Sequence, residues 1–287
     1  MEAKPRTQPI MIDDEKNQTS RVRGEFDLFK YVKLWWMMTL LVSQNAFVTR
    51  FGAVLFLIGK LVRFTFFFLF LLIIATRTDA IAGYSLWQII LFYITFNFID
   101  SLAQFFLREV YRFRNYVVSG DFDYYLTKPM PVLFRLLFGG SDILDLPVIA
   151  LSAGFIFIAL SNIGNIVFSD VLIYLALVMN GFVIAVAFHI MVLAIGVMTT
   201  EVDNTLWLFR DLTNMGRFPI DIYQNPLRSI ITFVIPVGIM ITFPAKAALG
   251  LLSINSIVIA FFVGGLTLFL SLRFWNFALK QYTSASS

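Results

Sequence analysis

The chain contains no cysteine and a single histidine, His189. This excludes a disulfide framework, a thiolate metal site, a cysteine nucleophile and a zinc site built on several imidazoles. Charge is scarce as well. Asp, Glu, Lys and Arg make up 14% of the 287 residues, where a soluble domain carries about 25% to cover its surface. No GxxxxGK[ST] string occurs, so no Walker-type loop is present to cradle nucleotide phosphates. Apolar residues are abundant: 59% of the chain is hydrophobic, with 33 Phe and a mean hydropathy of +0.81. Such a chain is not a water-soluble enzyme, and its solvent is lipid. The net charge of +4 does not call for nucleic acid, because the excess sits in the segments between apolar runs.

Residues 1–24 hold five Lys or Arg and four Asp or Glu among few apolar residues. They cannot bury enough surface to offset ordering entropy, so a mobile tail is expected. The tail has no secretory signal core. From 25 to 45, Asp27, Lys30 and Lys33 recur at helical spacing among Phe26, Phe29, Tyr31, Trp35 and Trp36, the pattern of an amphipathic helix lying at the membrane interface. Six stretches then approach or exceed the roughly 20 apolar residues needed to cross hydrocarbon. They lie near 50–76, 84–107, 143–161, 169–199, 229–249 and 254–275. Pro236 and Pro244 interrupt the fifth, so a kink or a re-entrant segment is expected there. The fold class is all-α, a polytopic integral membrane protein with six transmembrane helices.

Orientation follows from the cations. With the N-terminus inside, 18 of the 22 Lys and Arg fall in inner segments, including Arg210, Arg217 and Arg228. Arg77 and Lys246 lie outside, and Lys60 and Arg63 lie within the first span. The positive-inside rule then makes both termini cytoplasmic, with residues 281–287 as a short cytoplasmic tail. The external connections are short, so the polar mass faces the cytoplasm. Its most informative piece, 108–142, has a basic helical end, a break at Ser119-Gly120, then Asp121-x-Asp123, an aromatic turn and a second short piece from Pro131. Tyr124, Tyr125, Leu126, Leu133 and Phe134 among charges have the anchor-and-rim composition of a protein docking site. Asp121-x-Asp123 also admits a divalent ion holding a diphosphate, although no second acidic cluster accompanies it.

The string SGDFDYYLTKP (119–129), preceded by Arg112 and Arg114 and followed by PVLF, resembles the R-S-G-x-L-D-x-x-L-x-[RK]-P signature of permeases of bacterial ABC type-2 exporters. Phe122 stands where Leu is usual. A second stretch, 217–250, is similar to the family's Arg, Pro, Tyr-x-x-Pro-x-Arg, Thr, Pro and Pro-Ala pattern. The resemblance covers roughly 26–280. It implies a permease subunit in a bacterial plasma membrane, pairing with a second permease chain to enclose a path through the lipids. It further implies two separate ATP-binding subunits that hold ATP and Mg, this chain binding no cofactor itself. The 108–142 loop would be the coupling helix, through Ser119, Gly120, Asp121, Asp123, Tyr124, Tyr125, Leu126, Lys128, Pro129, Leu133 and Phe134. No catalytic residue and no metal ligand is expected.

Charges within spans are costly and mark functional candidates. Lys60 and Arg63 share a face, and Asp100 lies at comparable depth, so Asp100 is expected to pair with one of them; the alternative is that both cations snorkel to the headgroups. Asn180 and His189 interrupt the fourth span, where Gly181-x-x-x-Ala185 offers close helix approach. Either residue lines a path or serves packing. Two other functions fit parts of the pattern: a membrane-embedded enzyme acting on a lipid or isoprenoid, and an ion-coupled secondary transporter. The first predicts activity of the chain alone with a divalent metal, the second a deep acidic site.

Overall fold

A computed structural model describes residues 28–48, 50–75, 77, 81–164, 166–199 and 201–282. The tail at 1–24 and most of 281–287 lie outside the described residues. Within them the chain is helical, with no strand. Helix α1 (Leu28–Val48) precedes α2 (Arg50–Ala75) and α3 (Leu86–Leu107). A folded loop follows with α4 (Phe113–Ser119), α5 (Asp121–Leu126) and α6 (Val132–Phe138). Then come α7 (Leu146–Ile163), α8 (Phe168–Thr199) and α9 (Val202–Asn214). A bent pair, α10 (Leu227–Val234) and α11 (Gly238–Ala248), leads to α12 (Ile254–Gln281). Five helical segments are long and apolar enough to cross a membrane, and the bent pair passes only when its halves are taken together.

Helix α3 is the spine. Residues such as Ile89, Leu91, Phe92, Ile94 and Ile99 are buried all round it, as expected of a helix apolar on every face in the middle of a bundle. By contrast α2 is buried over only 11% of its apolar window. Helices α8 and α12 approach closely because Gly264 leaves room for Asn180, whose amide nitrogen donates to the Ala260 carbonyl at 2.9 Å. A Cβ at Gly264 would sit 2.0 Å from the Asn180 side chain, and one at Gly181 would sit 2.4 Å from the Met240 carbonyl. Asn180 and Gly181 are therefore packing residues, joining α8 to α12 and α11.

The contacts fix which helix ends lie together. The loop end of the bundle gathers Phe113, Gly196 and Val202, and also Tyr282, whose ring meets Phe122 at 4.9 Å. At the opposite end Tyr84, Asp221, Arg228 and Lys246 form one cluster. Residues 202–222 thus run from the loop end, where Asp203 faces Arg114 at 3.7 Å, past Phe67 at mid-bundle to Tyr84. The stretch expected as a fifth span, 229–249, is a pair of helices bent by 76°. Arg228 before it and Lys246 near its end both reach the Asp221 carboxylate, so its two flanks lie at the same end of the bundle. Pro236 supplies no amide for a continuous helix, and residues 230–234 and 238–242 are wound as π turns. Arg228, expected on the side of the 108–142 loop, lies at the opposite end.

Asp221 accepts hydrogen bonds from Tyr84 at 2.9 Å, from Lys246 at 2.9 Å, and from Arg228. These bonds tie both flanks of the bent pair to one carboxylate. Asp221→Asn should cost about 2 kcal/mol, the scale of hydrogen bonds to a charged group. Hydrogen exchange in 227–248 should accelerate selectively, while amides at the loop end keep their protection.

Candidate functional site

The loop between α3 and α7 is built on one buried carboxylate. Glu109, 1% exposed, sits in a 3₁₀ turn at 108–112 and accepts from Arg112 at 2.8 Å, Arg135 at 2.7 Å and the Tyr116 hydroxyl at 2.7 Å. The cations thus come from both sides of the loop, and the loop folds back on itself. Gly120 at φ +80° makes the break between α4 and α5, a left-handed conformation that glycine adopts at no steric cost. Phe122, fully buried, packs edge-on against Phe113 at 5.2 Å and plugs α5 into the bundle.

This plug decides which loop residues face outward. Ser119, Asp121, Tyr124, Leu126, Lys128 and Pro129 are exposed, and Gly120 and Asp123 are half-buried. The Ser119 hydroxyl donates to Asp121 at 2.8 Å, and the Lys128 ammonium lies 3.7 Å above the Tyr124 ring. Tyr125 turns inward, edge-on to Tyr116 at 5.2 Å with the Arg135 guanidinium 5.0 Å over its ring. Leu133 and Phe134 are also half-buried; Phe134 meets Tyr31 of α1 at 5.0 Å. The outward surface is thus narrower than the sequence indicates, centred on Tyr124 and Leu126. Among the described residues no group of three or more His, Asp or Glu gathers that could hold a metal ion. Helix α1 docks through Trp35, whose indole donates to Ser141 at 2.8 Å and packs against Phe105 and Phe106.

A second polar site lies inside the bundle, in a cavity of about 400 Å³ between α2, α3, α7 and α9. Arg63 pairs with Asp100 at 3.8 Å, as the sequence suggests, whereas Lys60 pairs with Asp145, the residue preceding α7. Asp145 is 1% exposed, a second carboxylate at depth beside Asp100. Sequence reasoning missed it because its partner is 85 residues away, although an aspartate two residues before Pro147 marks a helix start. It also missed Glu109, whose i,i+3 spacing to Arg112 was the available signal. His189 is buried between Phe209 and Tyr111; its Nδ1 contacts the Ala185 carbonyl at 2.8 Å and its Nε2 has no partner among the described residues. His189 and Asp100 line the same small crevice, and Asn180 stands apart from it.

Long apolar helices, ion-paired charges at depth and a folded polar loop at one end define a multi-pass α-helical membrane protein. A family model described as ABC-2 family transporter protein matches residues 61–286, and the chain belongs to that family: it is a permease-type membrane domain rather than an ATPase. Membership implies ATP-binding partner subunits in general. No curated protein and no solved structure matches.

Two outcomes test these geometries. Glu109→Gln should destabilise the chain by about 2 kcal/mol, since it removes the charge that the half-buried Arg135 guanidinium pairs with, and combining it with Arg135→Met should recover part of the loss in thermal unfolding. In double-mutant cycles Lys60→Met should couple to Asp145→Asn by about 1–3 kcal/mol and add independently to Asp100→Asn.

Proposed function

We propose that the chain is the permease subunit of an ATP-driven ABC type-2 exporter in a bacterial plasma membrane, pairing with a second permease chain and two ATP-binding subunits. The carrying observation is the outward pair Tyr124 and Leu126 on a short helix backed by buried Phe122 and clasped through Glu109. An exposed aromatic and an aliphatic anchor on a rigid base suit a groove in a protein partner. The cation bias toward the loop end persists without Arg228, so that end faces the cytoplasm. Six crossings result, with 202–222 as the fifth and 227–248 dipping in from the outer face.

ATP and Mg belong to the partner subunits, whose closure would push on α5. Three connections support transmission of that push. Glu109 links the loop to the end of α3, Phe122 meets Tyr282 beyond α12, and Arg114 reaches Asp203 on α9. Helices are stiff and repack as rigid bodies, so a displacement at the loop moves the walls of the central cavity. Alternate opening of that cavity would carry substrate across.

Purification of the tagged chain from its native membrane should bring down an ATP-binding subunit. Replacing Asp123, Tyr124 and Leu126 together by Ala should reduce its recovery at least tenfold, while Phe134→Ala, at the α1 contact, should not. Recovery of the ATP-binding subunit at the wild-type level with the triple variant would contradict the assignment.

A further inference from the structure

The central cavity is one of three that adjoin along α2. Toward the loop end a cavity of about 580 Å³ shares Phe56 and Arg108 with it and adds Arg112 and Arg135. Toward the opposite end a cavity of about 280 Å³ shares Arg63 and Asn97 with it and adds Arg217, walled by Phe66, Phe67 and Phe70. The carboxylates along this track are Glu109, Asp142, Asp145 and Asp100, and each already holds a cation. Arg210 and Arg217 are different. Among the described residues neither has a carboxylate partner; Arg210 lies 5.4 Å over Trp207, and Arg217 lies 5.5 Å and 5.6 Å over Phe67 and Phe96. They stand seven residues apart, Arg210 on α9 and Arg217 in the 3₁₀ turn that continues it.

An unmatched guanidinium at such depth is expensive, and its planar fork matches phosphate and carboxylate oxygens in pairs. The neighbouring phenylalanines offer no counter-charge but do offer apolar surface. Exposed Phe66 and Phe70 extend that surface along the outer face of α2. Resting on the permease reading, we infer that the substrate is an anionic amphiphile, its phosphate or carboxylate head drawn along the track to Arg210, Arg63 and Arg217, its tail against Phe66, Phe67 and Phe70. Excess positive charge along the path disfavours cationic cargo, since like charges repel strongly where water is scarce.

The test titrates the full chain in neutral detergent with dodecyl phosphate, dodecanol, a dodecyl trimethylammonium salt and inorganic phosphate, following the thermal-unfolding midpoint. Dodecyl phosphate should stabilise saturably, at a half-saturating concentration at least tenfold below that of the other three. Arg210→Gln with Arg217→Gln should raise that concentration at least tenfold, and the Lys replacements, which keep the charge, should restore most of it. Equal or tighter binding of the cationic amphiphile, or indifference to the Gln pair, overturns the inference. Inorganic phosphate matching dodecyl phosphate would overturn the role of the tail and assign the site to a soluble anion. Co-purification of the ATP-binding subunit, measured on the same variants, should be unchanged. Its absence from wild type with amphiphile binding intact would overturn the permease reading, and with it the role as substrate, and leave standing only a site for an anionic amphiphile.

Discussion

A charge within a low-permittivity interior must be matched, and this constraint organises the bundle. An isolated ion there costs several kcal/mol, so each carboxylate at depth selects its neighbours. Asp145 draws Lys60, and Asp100 draws Arg63; together they fasten α2, the least buried of the long helices, to α7 and α3. Glu109 gathers Arg112 and Arg135 and so folds the polar loop. Asp221 gathers Arg228 and Lys246 and so closes the bent pair. Where apolar packing is weak, ion pairs hold the architecture.

The same constraint leaves unmatched charge at Arg210 and Arg217, both carried by the 202–222 segment, which also touches the polar loop through Asp203. Loop and cavity are therefore mechanically continuous. The buried aromatic contact of Phe122 with Tyr282 adds a second connection, to the end of α12. On the proposed reading, a push delivered at Tyr124 reaches the cavity walls through α3 and α9.

Much of this was legible in the sequence because apolar runs of about 20 residues have few alternatives to spanning. The spans near 50–76, 84–107, 143–161, 169–199 and 254–275 correspond to long helices, and the Arg63–Asp100 pair followed from comparable depth. The 202–222 segment was hidden for a physical reason. Asp203, Arg210, Asp211 and Arg217 lower its hydropathy, while 229–249 is apolar enough to imitate a span although a 76° bend breaks it and Asp221 holds both its flanks. Long-range partners such as Lys60 with Asp145 leave no local trace. In the loop, composition alone marked Leu133 and Phe134 as anchors, and only the packing on Tyr31 shows that Phe134 faces inward.

On the proposed reading, a separate nucleotide-hydrolysing subunit grips the loop at Tyr124. Photo-crosslinking tests it most directly, with a benzoylphenylalanine at position 124 in cells and a matched one at buried position 122 as control. The expected result is an adduct at 124 that contains an ATP-binding cassette polypeptide and is absent at 122. Adducts at 124 that contain only lipid, or only proteins without a nucleotide-binding fold, would contradict the claim.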